Sequence, residues 1–394
     1  MTPFRITAIT AASAMGVGMA ATRDALKTRR GGLRPCDLPN MPEGAWIGRV
    51  PAAEAIALPE PLAAFTCRNT RLAELALRQD GFVGAVAAAV ARHGADRIAV
   101  VLGTSTSGIE ETERIWARRG ADGVLAAYDF ARTHDLHALP RYLRARLGLE
   151  GPCVSISTAC TSGSRSFIDA VALIEAGFAD AAVVGGADTL CRLTLHGFGS
   201  LELLAHGPTR PCAEDRNGIS IGEAAAFALI ERAGPGDAGR IGLLGTGASS
   251  DGHHMSSPHP EGHGAVAAIG AALGSAGLTA AGIDYVNMHG TGTRANDAME
   301  DRAIARLFGD AVPCSSTKGW TGHTLGASGA LEAAIAVICI EDGLIPGCLG
   351  VARVDPAFTT DIAVDNRAAR VDRVLSNSFG FGGSNCALVI GRIP

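Results

Sequence analysis

The chain has 394 residues, more than most single domains hold, so two domains or one large duplicated unit is expected. Hydrophobic residues make up 47% and charged residues 19%, which favours a large buried core and argues against disorder. The formal net charge of −5 excludes a general attraction to nucleic acid or to acidic membranes. The ten cysteines include no C-x-x-C pair, so neither a zinc site nor a disulfide scaffold is indicated, and a cytoplasmic setting is expected. No apolar run approaches the roughly 20 residues of a membrane span.

The first part of the chain alternates short apolar runs, typical of buried strands, with apolar-periodic helical segments. Residues 1–18 predict a strand and a glycine-rich turn rather than a signal peptide, because threonine and serine dilute the apolar run. Residues 32–66 are proline-rich and aperiodic, which indicates an irregular excursion near the substrate entrance or an interface. Strands are predicted at 98–102, 153–157, 181–184 and 225–230, and helices at 72–90 and 167–176.

Cys160 is the most informative residue of this part. It lies in STACTSG at 157–163, between a predicted strand and a predicted helix. A sharp turn there exposes a sulfur, and we expect the helix amides and macrodipole to favour its thiolate. Because a thiolate is a strong nucleophile that also leaves readily, acyl transfer through a thioester is indicated. A buried cysteine acting as a small hydrophobe is the alternative.

The segment 231–240 is polar and carries glycine and proline, so we place the boundary between two halves, 1–235 and 236–394, within it. Strands are then predicted at 241–245, 285–288, 312–315 and 386–390, and helices at 265–276 and 327–340. A layered sandwich of mostly parallel sheets follows from this alternation. A faint repeat accompanies it, since Cys160 and His323 each precede a glycine by three residues and then a helix.

Two histidines follow strand-like runs of the second half. His289 lies in VNMHGTGT at 286–293, and His323 lies at the start of an apolar helix, five residues after Lys318. A lone histidine in such a place is more often structural than catalytic. One cysteine and two histidines at three strand-to-loop junctions, each among small residues that admit a substrate, favour a shared catalytic site.

These residues lie in motifs that resemble those of elongating β-ketoacyl-acyl-carrier-protein synthases, condensing enzymes of the thiolase superfamily. The motifs are STACTSG at 157–163, RPCAEDRNGISIGEAAA at 210–226, SSDGHHMSSPHPEG at 249–262, HGTGTRANDAMED at 289–301, STKGWTGHTLGASGALE at 316–332 and NSFGFGGSNCALVI at 377–390. Their order of cysteine, histidine and histidine differs from the cysteine, histidine and cysteine of thiolases and from the cysteine, histidine and asparagine of initiating synthases.

The resemblance implies a thiolase-like α/β fold, a five-layered αβαβα sandwich made of two similar halves. It implies a decarboxylative Claisen condensation of a Cys160-bound acyl group with a malonyl-carrier protein, without metal or other cofactor. His289 and His323 would be neutral donors to the malonyl thioester oxygen. The backbone N–H groups of Cys160 and Phe381 would form an oxyanion hole.

Further roles come from the same resemblance. Phe381 matches a gating phenylalanine, flanked by Gly380 and Gly382 at the substrate. Lys318 would orient or tune His323, with a structural salt bridge to Glu332 as the alternative. The residues expected at the substrate are Thr291, Thr293, Gly380, Gly382 and Glu332.

The implied partner is an acidic, helical acyl carrier protein, which needs a local basic patch on a chain of net charge −5. Arg68 and Arg71, with Arg78, fall at helical spacing and are the first candidate; the second is the cluster Arg141, Arg144 and Arg146. A solvated face is the alternative for both. We also expect a homodimer, possibly replaced by a heterodimer with a related subunit.

Fatty-acid-type elongation is the first functional prediction. The segment 102–113, LGTSTSGIEETE, is less typical of housekeeping enzymes, so the alternative is a specialised type II polyketide or aryl-polyene ketosynthase. A non-catalytic chain-length-factor-like subunit is less favoured, because Cys160, His289 and His323 are all present. A thiolase would use Cys386, which lies in a strand-like run, and would leave His323 unexplained.

Overall fold

The computed structural model describes residues 1–119, 123 and 128–394. The α-helices are α1 Met19–Thr28, α2 Arg68–Leu77, α3 Phe82–His93, α4 Ile109–Ala117, α5 Phe130–Thr133, α6 Ala138–Leu147, α7 Ser162–Glu175, α8 Arg192–Ser200, α9 His263–Ala276, α10 Arg294–Phe308, α11 Lys318–Thr321 and α12 Ser328–Asp342. The strands are β1 Phe4–Ser13, β2 Gly16–Val17, β3 Leu33–Pro35, β4 Trp46–Gly48, β5 Ile98–Gly103, β6 Cys153–Ile156, β7 Ala181–Asp188, β8 Ile221–Gly222, β9 Ala224–Arg232, β10 Ile241–Ser250, β11 Tyr285–Asn287, β12 Pro313–Ser315, β13 Leu344–Ile345, β14 Asp361–Ile362, β15 Arg367–Ala368, β16 Arg373–Gly380 and β17 Ser384–Arg392.

The long strands pair in the order β14–β12–β11–β16–β17–β10–β1–β9–β7–β5–β6. Two sets of five, β6–β5–β7–β9–β1 and β12–β11–β16–β17–β10, have the same pairing: two parallel contacts followed by two antiparallel ones. β1 and β10 join the sets through Phe4 with Leu243 and Arg5 with Gly242. The prediction of two similar halves is confirmed, but that of mostly parallel sheets is wrong. β9 and β17 are buried on both faces, and such strands have the same continuous apolar sequence in either orientation.

Five layers follow from the packing of helices on these sets. The central helices α7 and α12 share one buried core with strands of both sets. α2, α3 and α6 cover the outer face of the first set, and α9 and α10 cover the outer face of the second. α12 is buried at almost every position, which explains why its sequence is apolar on all sides. The predicted αβαβα sandwich is confirmed.

The central helices pack most closely at two glycines. A Cβ on Gly163 would lie 2.8 Å from the Gly326 carbonyl oxygen, and one on Gly329 would lie 2.7 Å from the Ser164 nitrogen. Each helix is preceded by a short 3-10 turn, Ala159–Thr161 before α7 and Leu325–Ala327 before α12. Cys160, the middle residue of the first turn, therefore corresponds to Gly326, the middle residue of the second. The sequence repeat predicted that Cys160 corresponds to His323, which is three residues before the true equivalent.

Some local predictions differ from the structure. The helix predicted at 72–90 is two helices, because Asp80 and Gly81 between them adopt positive φ values of 55° and 67°. β16 was missed because its buried end carries Ser376, Asn377 and Ser378, which read as polar. The boundary predicted at 235 lies in the turn Pro235–Asp237, between β9 and β10, and as a division into domains it stays a prediction.

The excursion predicted at 32–66 contains β3 and β4 and two 3-10 turns, Pro51–Ala55 and Glu60–Phe65. β4 pairs in parallel with β8, which ties the excursion to the segment before β9. Within the described residues, no helix combines the length and the apolar character needed to cross a membrane.

Candidate active site

Cys160 lies in the turn between β6 and α7, as the strand and helix patterns predict. Ala159 adopts φ +51°, a left-handed conformation that is uncommon outside glycine and that stores strain. The Ser162 hydroxyl holds the turn by donating to the Ala159 carbonyl at 2.6 Å and by accepting from the Thr158 N–H at 3.0 Å. Cys160 is 6% exposed and lines a cavity, so it is not sealed in the core.

The structure brings the cysteine and both histidines together. The Nε2 atom of His323 lies 2.9 Å from the Cys160 sulfur, and the sulfur and one ring nitrogen of each histidine all lie within 4.8 Å of one another. The rings of His289 and His323 stand edge to face, with centroids 5.3 Å apart. Residues far apart in sequence therefore form one cluster, at the carboxyl ends of β6, β11 and β12.

The neighbours of the imidazoles define what the rings can donate. The Ser328 hydroxyl lies 3.0 Å from His323 Nδ1, so it can donate there and leave the ring proton on Nε2. His289 Nδ1 is buried without a partner, while the residue lines the cavity. Burial lowers the pKa of both imidazoles well below the usual range, and the Lys318 ammonium lowers it further. Both histidines are therefore neutral near pH 7, as donors of an Nε2 proton must be.

The expected stabilisation of the Cys160 thiolate by helix α7 does not prevail. Burial raises the pKa of this thiol to about 12, against the opposing effects of the Lys318 charge and of the Phe381 backbone N–H. Desolvation costs the thiolate more than these contacts return, so the resting group is a thiol beside a neutral imidazole.

Lys318 and Glu332 form a buried ion pair with 2.5 Å between Nζ and Oε1. Burial raises the pKa of Glu332, and Lys318 opposes that shift. The salt bridge given above as the alternative for Lys318 is present, and the ammonium also lowers the pKa values of Cys160, His289 and His323. Glu332 does not line the cavity, so its expected place at the substrate is wrong: it is the partner of Lys318.

The segment 380–383 forms one wall of the site. Gly380 packs so closely on the cysteine turn that a Cβ would lie 3.0 Å from the Thr158 carbonyl oxygen. The Phe381 ring lies 5.6 Å from that of Phe198, centroid to centroid, and both line the cavity. Gly382 adopts φ +85° and donates its N–H to the Met255 carbonyl; it is not among the lining residues, so it shapes the segment instead of meeting the substrate there.

The cavity that reaches Cys160 has a volume of about 490 Å³. Thr291 and Thr293 line it with their hydroxyl oxygens 3.0 Å apart. Thr293 also caps α10 by accepting from the Asn296 N–H. This residue therefore both caps a helix and faces the cavity in which the substrate is expected. The substrate roles of both threonines stay predictions.

The predicted carrier patch at Arg68 and Arg71 is wrong for Arg68. This side chain is 9% exposed and binds Glu223 through two contacts of 2.8 Å and 2.5 Å. Arg71 donates to the Glu54 carbonyl, and neither arginine lines the cavity. Helical spacing alone cannot reveal a carboxylate that approaches from a distant part of the chain, here the link between β8 and β9. Arg294, which the sequence reasoning missed, is the arginine that lines the cavity.

Of the second predicted cluster, Arg146 is tied to the buried Glu74. Arg141 donates to the Ala131 carbonyl, and Arg144 donates to the Leu149 and Glu150 carbonyls. None of the three lines the cavity.

Two buried carboxylates that position the site were also missed. Glu300 accepts from the backbone N–H groups of His289 and Gly290, both at 2.8 Å, and burial raises its pKa to about 7. Asp188 accepts from the loop 104–106 and, at 2.6 Å, from the Gly326 N–H. The one feature of the sequence that could have indicated Glu300 is its position in the helix after the His289 loop, eleven residues after His289. Nothing local marked Asp188.

Comparisons with known proteins agree with this geometry. Residues 67–235 match the family model "Beta-ketoacyl synthase, N-terminal domain", and residues 242–352 match "Beta-ketoacyl synthase, C-terminal domain". The 3-oxoacyl-acyl-carrier-protein synthase 2 of Vibrio cholerae is 34% identical, over 77% of this chain and 78% of its own. Nodulation protein E of Rhizobium meliloti is 33% identical, over 75% and 76%.

Among solved structures, a ketosynthase from Xenorhabdus doucetiae, in complex with its chain length factor, superposes with a TM-score of 0.91. It is 40% identical and covers 100% of this chain and 98% of its own. A β-ketoacyl synthase from Burkholderia phymatum superposes with a TM-score of 0.87 at 28% identity, with full coverage of both chains.

Proposed function

This chain belongs to the β-ketoacyl synthase family of condensing enzymes, and from that premise we propose that it joins an acyl group held on Cys160 to a malonyl unit carried by an acyl carrier protein, with release of CO2. The observation that supports this most directly is one thiol and two neutral imidazoles within 4.8 Å at the end of a cavity of about 490 Å³.

The first step is transfer of the acyl group to the enzyme. The Cys160 sulfur attacks the carrier thioester while its S–H bond breaks, and the proton passes to the departing carrier thiol; the His323 Nε2–H, 2.9 Å from the sulfur, stabilises the developing thiolate by donating to it. The bond from the acyl carbon to the carrier sulfur breaks, and the carrier thiol leaves with a proton. The backbone N–H groups of Cys160 and Phe381 are proposed to stabilise the oxyanion of this step.

The second step is decarboxylation and condensation. The malonyl carboxylate leaves as CO2, and the electron pair stays as an enolate whose oxygen accepts from the Nε2 protons of His289 and His323. The enolate carbon attacks the acyl carbon on Cys160, the carbon–sulfur bond breaks, and the sulfur takes up a proton from solvent, while the 3-oxoacyl product stays on the carrier. Neutral imidazoles suit this role because a donor that stabilises the enolate need not lose its proton. Phe381 is proposed to move aside for the malonyl arm.

A paired assay tests the proposal. The protein is mixed with an acyl-carrier and a malonyl-carrier protein, and the 3-oxoacyl product and CO2 are measured separately by mass spectrometry. Cys160→Ala should lose condensation by several orders of magnitude and retain CO2 release, because the histidines act on the malonyl group without the sulfur. Condensation at the wild-type rate in this variant would refute the nucleophile.

The same assay separates the alternatives. A non-catalytic subunit would release no CO2, and a thiolase would not depend on malonyl. Cys386, which a thiolase would need, lies fully buried in β17 and does not line the cavity. No metal or other cofactor is needed for any of these steps, and the proposal includes none.

The oligomer and the pathway are part of the proposal. A homodimer remains our prediction for the chain alone, and the 40% identity to a ketosynthase that binds a chain length factor supports a heterodimer with a related subunit as the second candidate. That similarity likewise supports a specialised type II pathway beside fatty-acid-type elongation. Native mass spectrometry, alone and with such a subunit, distinguishes the two assemblies. The ten free cysteines support a reducing, cytoplasmic setting.

A further inference from the structure

The cluster of Cys160, His289 and His323 has a second chemical capacity, because thiolate sulfur and imidazole nitrogen are also metal ligands. The Cys160 sulfur and one ring nitrogen of each histidine lie within 4.8 Å of one another, and no other group of three or more cysteine, histidine or acidic residues in the described part of the chain meets that limit. The cavity at this cluster is also lined by the exposed Glu202 and His254, so an ion can enter from solvent.

The distances in the cluster fit a zinc ion with three protein ligands. A tetrahedral Zn²⁺ holds sulfur at about 2.3 Å and nitrogen at about 2.0 Å, which places its ligand atoms about 3.3–3.5 Å apart. His323 Nε2 lies 2.9 Å from the Cys160 sulfur, and the other separations are within 4.8 Å. Side-chain shifts of about 1 Å therefore suffice to admit the ion, and its fourth position is left for a water molecule.

The neighbours of His323 can support a bound metal. Its Nδ1 lies 3.0 Å from the Ser328 hydroxyl, which can accept a hydrogen bond as well as donate one. When a metal takes the lone pair of Nε2, the ring proton resides on Nδ1 and can be donated to Ser328. Ser328 can then donate its own proton to the Thr324 hydroxyl at 3.2 Å. A hydrogen bond of this kind is the usual support of a metal-bound histidine, because it fixes the orientation of the ring.

The donor set and the local charge favour zinc. Thiolate and imidazole select Zn²⁺ and similar cations, whereas Mg²⁺ and Ca²⁺ need oxygen ligands. The Lys318 ammonium opposes any cation, but it is paired with Glu332 at 2.5 Å, and the second carboxylate oxygen of Glu332 is buried without a partner. The ion pair is therefore close to neutral, and the thiolate that forms on binding offsets one of the two charges of the zinc ion.

We propose that the unloaded enzyme binds one Zn²⁺ ion through Cys160, His289 and His323, and that this ion prevents acyl loading. The zinc–sulfur bond forms as the S–H bond breaks, and the proton leaves to solvent. The sulfur that attacks the carrier thioester is then held by the metal. An acyl group on Cys160 removes the thiolate ligand in turn, so metal and acyl group exclude each other. The block on loading rests on the proposed function, whereas binding of the ion does not.

Cobalt substitution tests the binding without reference to activity. Co²⁺ added to the protein should give the near-ultraviolet charge-transfer absorption of a thiolate–cobalt bond, and Zn²⁺ should displace it. Cys160→Ser should lose this absorption. Wild-type enzyme whose Cys160 has first been alkylated by iodoacetamide, as verified on its own peptide, should lose it too, and this second measurement serves if the variant does not fold.

The affinity for Zn²⁺ is measured by titrating zinc against the cobalt absorption. Ser328→Ala should weaken Zn²⁺ binding about tenfold, because the proton on His323 Nδ1 loses its acceptor. His259→Gln is the matched control, since His259 belongs to a separate histidine group, with its ring centroid 4.9 Å from that of His253 and 4.5 Å from that of His263. This variant should keep the affinity of the wild type.

The block on loading is measured as the initial rate of acyl transfer from acetyl-carrier protein to Cys160, by intact-protein mass spectrometry. Zn²⁺ at about ten times its dissociation constant should lower this rate about tenfold, because about a tenth of the sites stay free. EDTA should restore the rate, and Mg²⁺ at the same concentration should leave it unchanged.

The outcomes distinguish failure of the metal site from failure of the proposed function. Absence of the cobalt absorption in the wild type, its survival in Cys160→Ser, or an affinity that falls in His259→Gln and not in Ser328→Ala would overturn the metal site. Zinc binding at Cys160 with an unchanged rate of loading would overturn the block. If no donor acylates Cys160 in the absence of metal, the proposed function fails, while the cobalt result still decides whether the ion binds.

Discussion

Cys160 is uncharged in the resting site, and this determines how its reactivity depends on pH. Burial holds the pKa of the thiol at about 12, while burial also keeps the nearest imidazole, His323, neutral. The proton must therefore leave the sulfur as the substrate arrives. The Nε2–H of His323, 2.9 Å from the sulfur, can then stabilise the thiolate that develops by donating to it.

Alkylation of the free enzyme tests this. The rate at which iodoacetamide modifies Cys160, followed on its own peptide by mass spectrometry, should rise about tenfold per pH unit from pH 7 to pH 10, because the thiolate fraction grows without saturating below the pKa. A Lys318→Met, Glu332→Gln double variant should react more slowly, since the ammonium that lowers the pKa is gone while Glu332 loses its unpaired charge. A plateau near pH 8 in the wild type would contradict the assignment.

Glu300 gives a second prediction at this scale, on stability. Its pKa rises from 4.5 to about 7 on burial, so the folded state holds a proton that the unfolded state releases. Stability from this group is complete below about pH 4.5 and is lost as the pH rises towards 7, by about 3 kcal/mol.

Glu300→Gln should therefore flatten the fall in melting temperature between pH 5 and pH 8. It should also lower kcat, because one of the two backbone N–H groups at His289 and Gly290 loses its acceptor. An unchanged pH slope would show that Glu300 is not the group that titrates.

At the scale of elements, the contact between α7 and α12 sets the geometry of the site. α7 begins directly after the turn that contains Cys160, and α12 begins directly after the turn that follows His323. The distance between the two helices therefore fixes where Cys160 lies relative to His323. The close approach depends on glycine at positions 163 and 329.

Gly163→Ala should destabilise the protein by several kcal/mol, because the new Cβ would lie within 2.8 Å and 2.9 Å of backbone atoms at Gly326 and Ala330, which cannot move aside cheaply. Chemical denaturation measures the change. Gly270→Ala in α9 is the control: nothing lies within 4 Å of its Cβ, so the higher helix propensity of alanine should leave stability equal or raised by up to about 1 kcal/mol. Equal changes in the free energy of unfolding for the two variants would show that α7 and α12 are not closely packed at Gly163.

The whole molecule carries a net charge of −5, so the approach of an acidic carrier depends on local cations. Arg294, at the cavity, is the arginine in position to act, whereas Arg68 is buried against Glu223. Arg294→Glu should raise the KM for malonyl-carrier protein about tenfold at low salt, with a smaller effect on kcat and a weaker salt dependence.

Arg370→Glu provides the matched control for this experiment. Its side chain is 88% exposed and precedes β16, at the opposite end of that strand from Gly380. The same charge reversal there should leave the KM unchanged. An equal rise in both variants would show that overall charge, and not the position of Arg294, governs the encounter.

Sequence patterns could predict the parts of this molecule that local composition encodes. The three catalytic candidates stand at strand ends among small residues, and the alternation of strands and helices predicted the layers. Strand direction was missed, because a doubly buried strand such as β9 has no directional signature. Arg68 was misplaced for a related reason: its partner Glu223 lies 155 positions away, and only the folded chain brings the two together. The partner of Glu332, Lys318, is only 14 positions away, and their salt bridge was already the alternative given from the sequence.

The duplicated architecture has one further consequence, for how many intermediates a single copy can carry. The position equivalent to Cys160 in the second half is Gly326, where even a methyl group would come within 2.8 Å of the Asp188 carboxylate. A cysteine side chain at this position would displace the Asp188 carboxylate from the Gly326 N–H. The two halves therefore differ here, and each polypeptide has one cysteine, Cys160, that can carry an acyl group. Because the lengthened product forms on the carrier that brought the malonyl unit, each copy must be loaded again at Cys160 before it can begin another round.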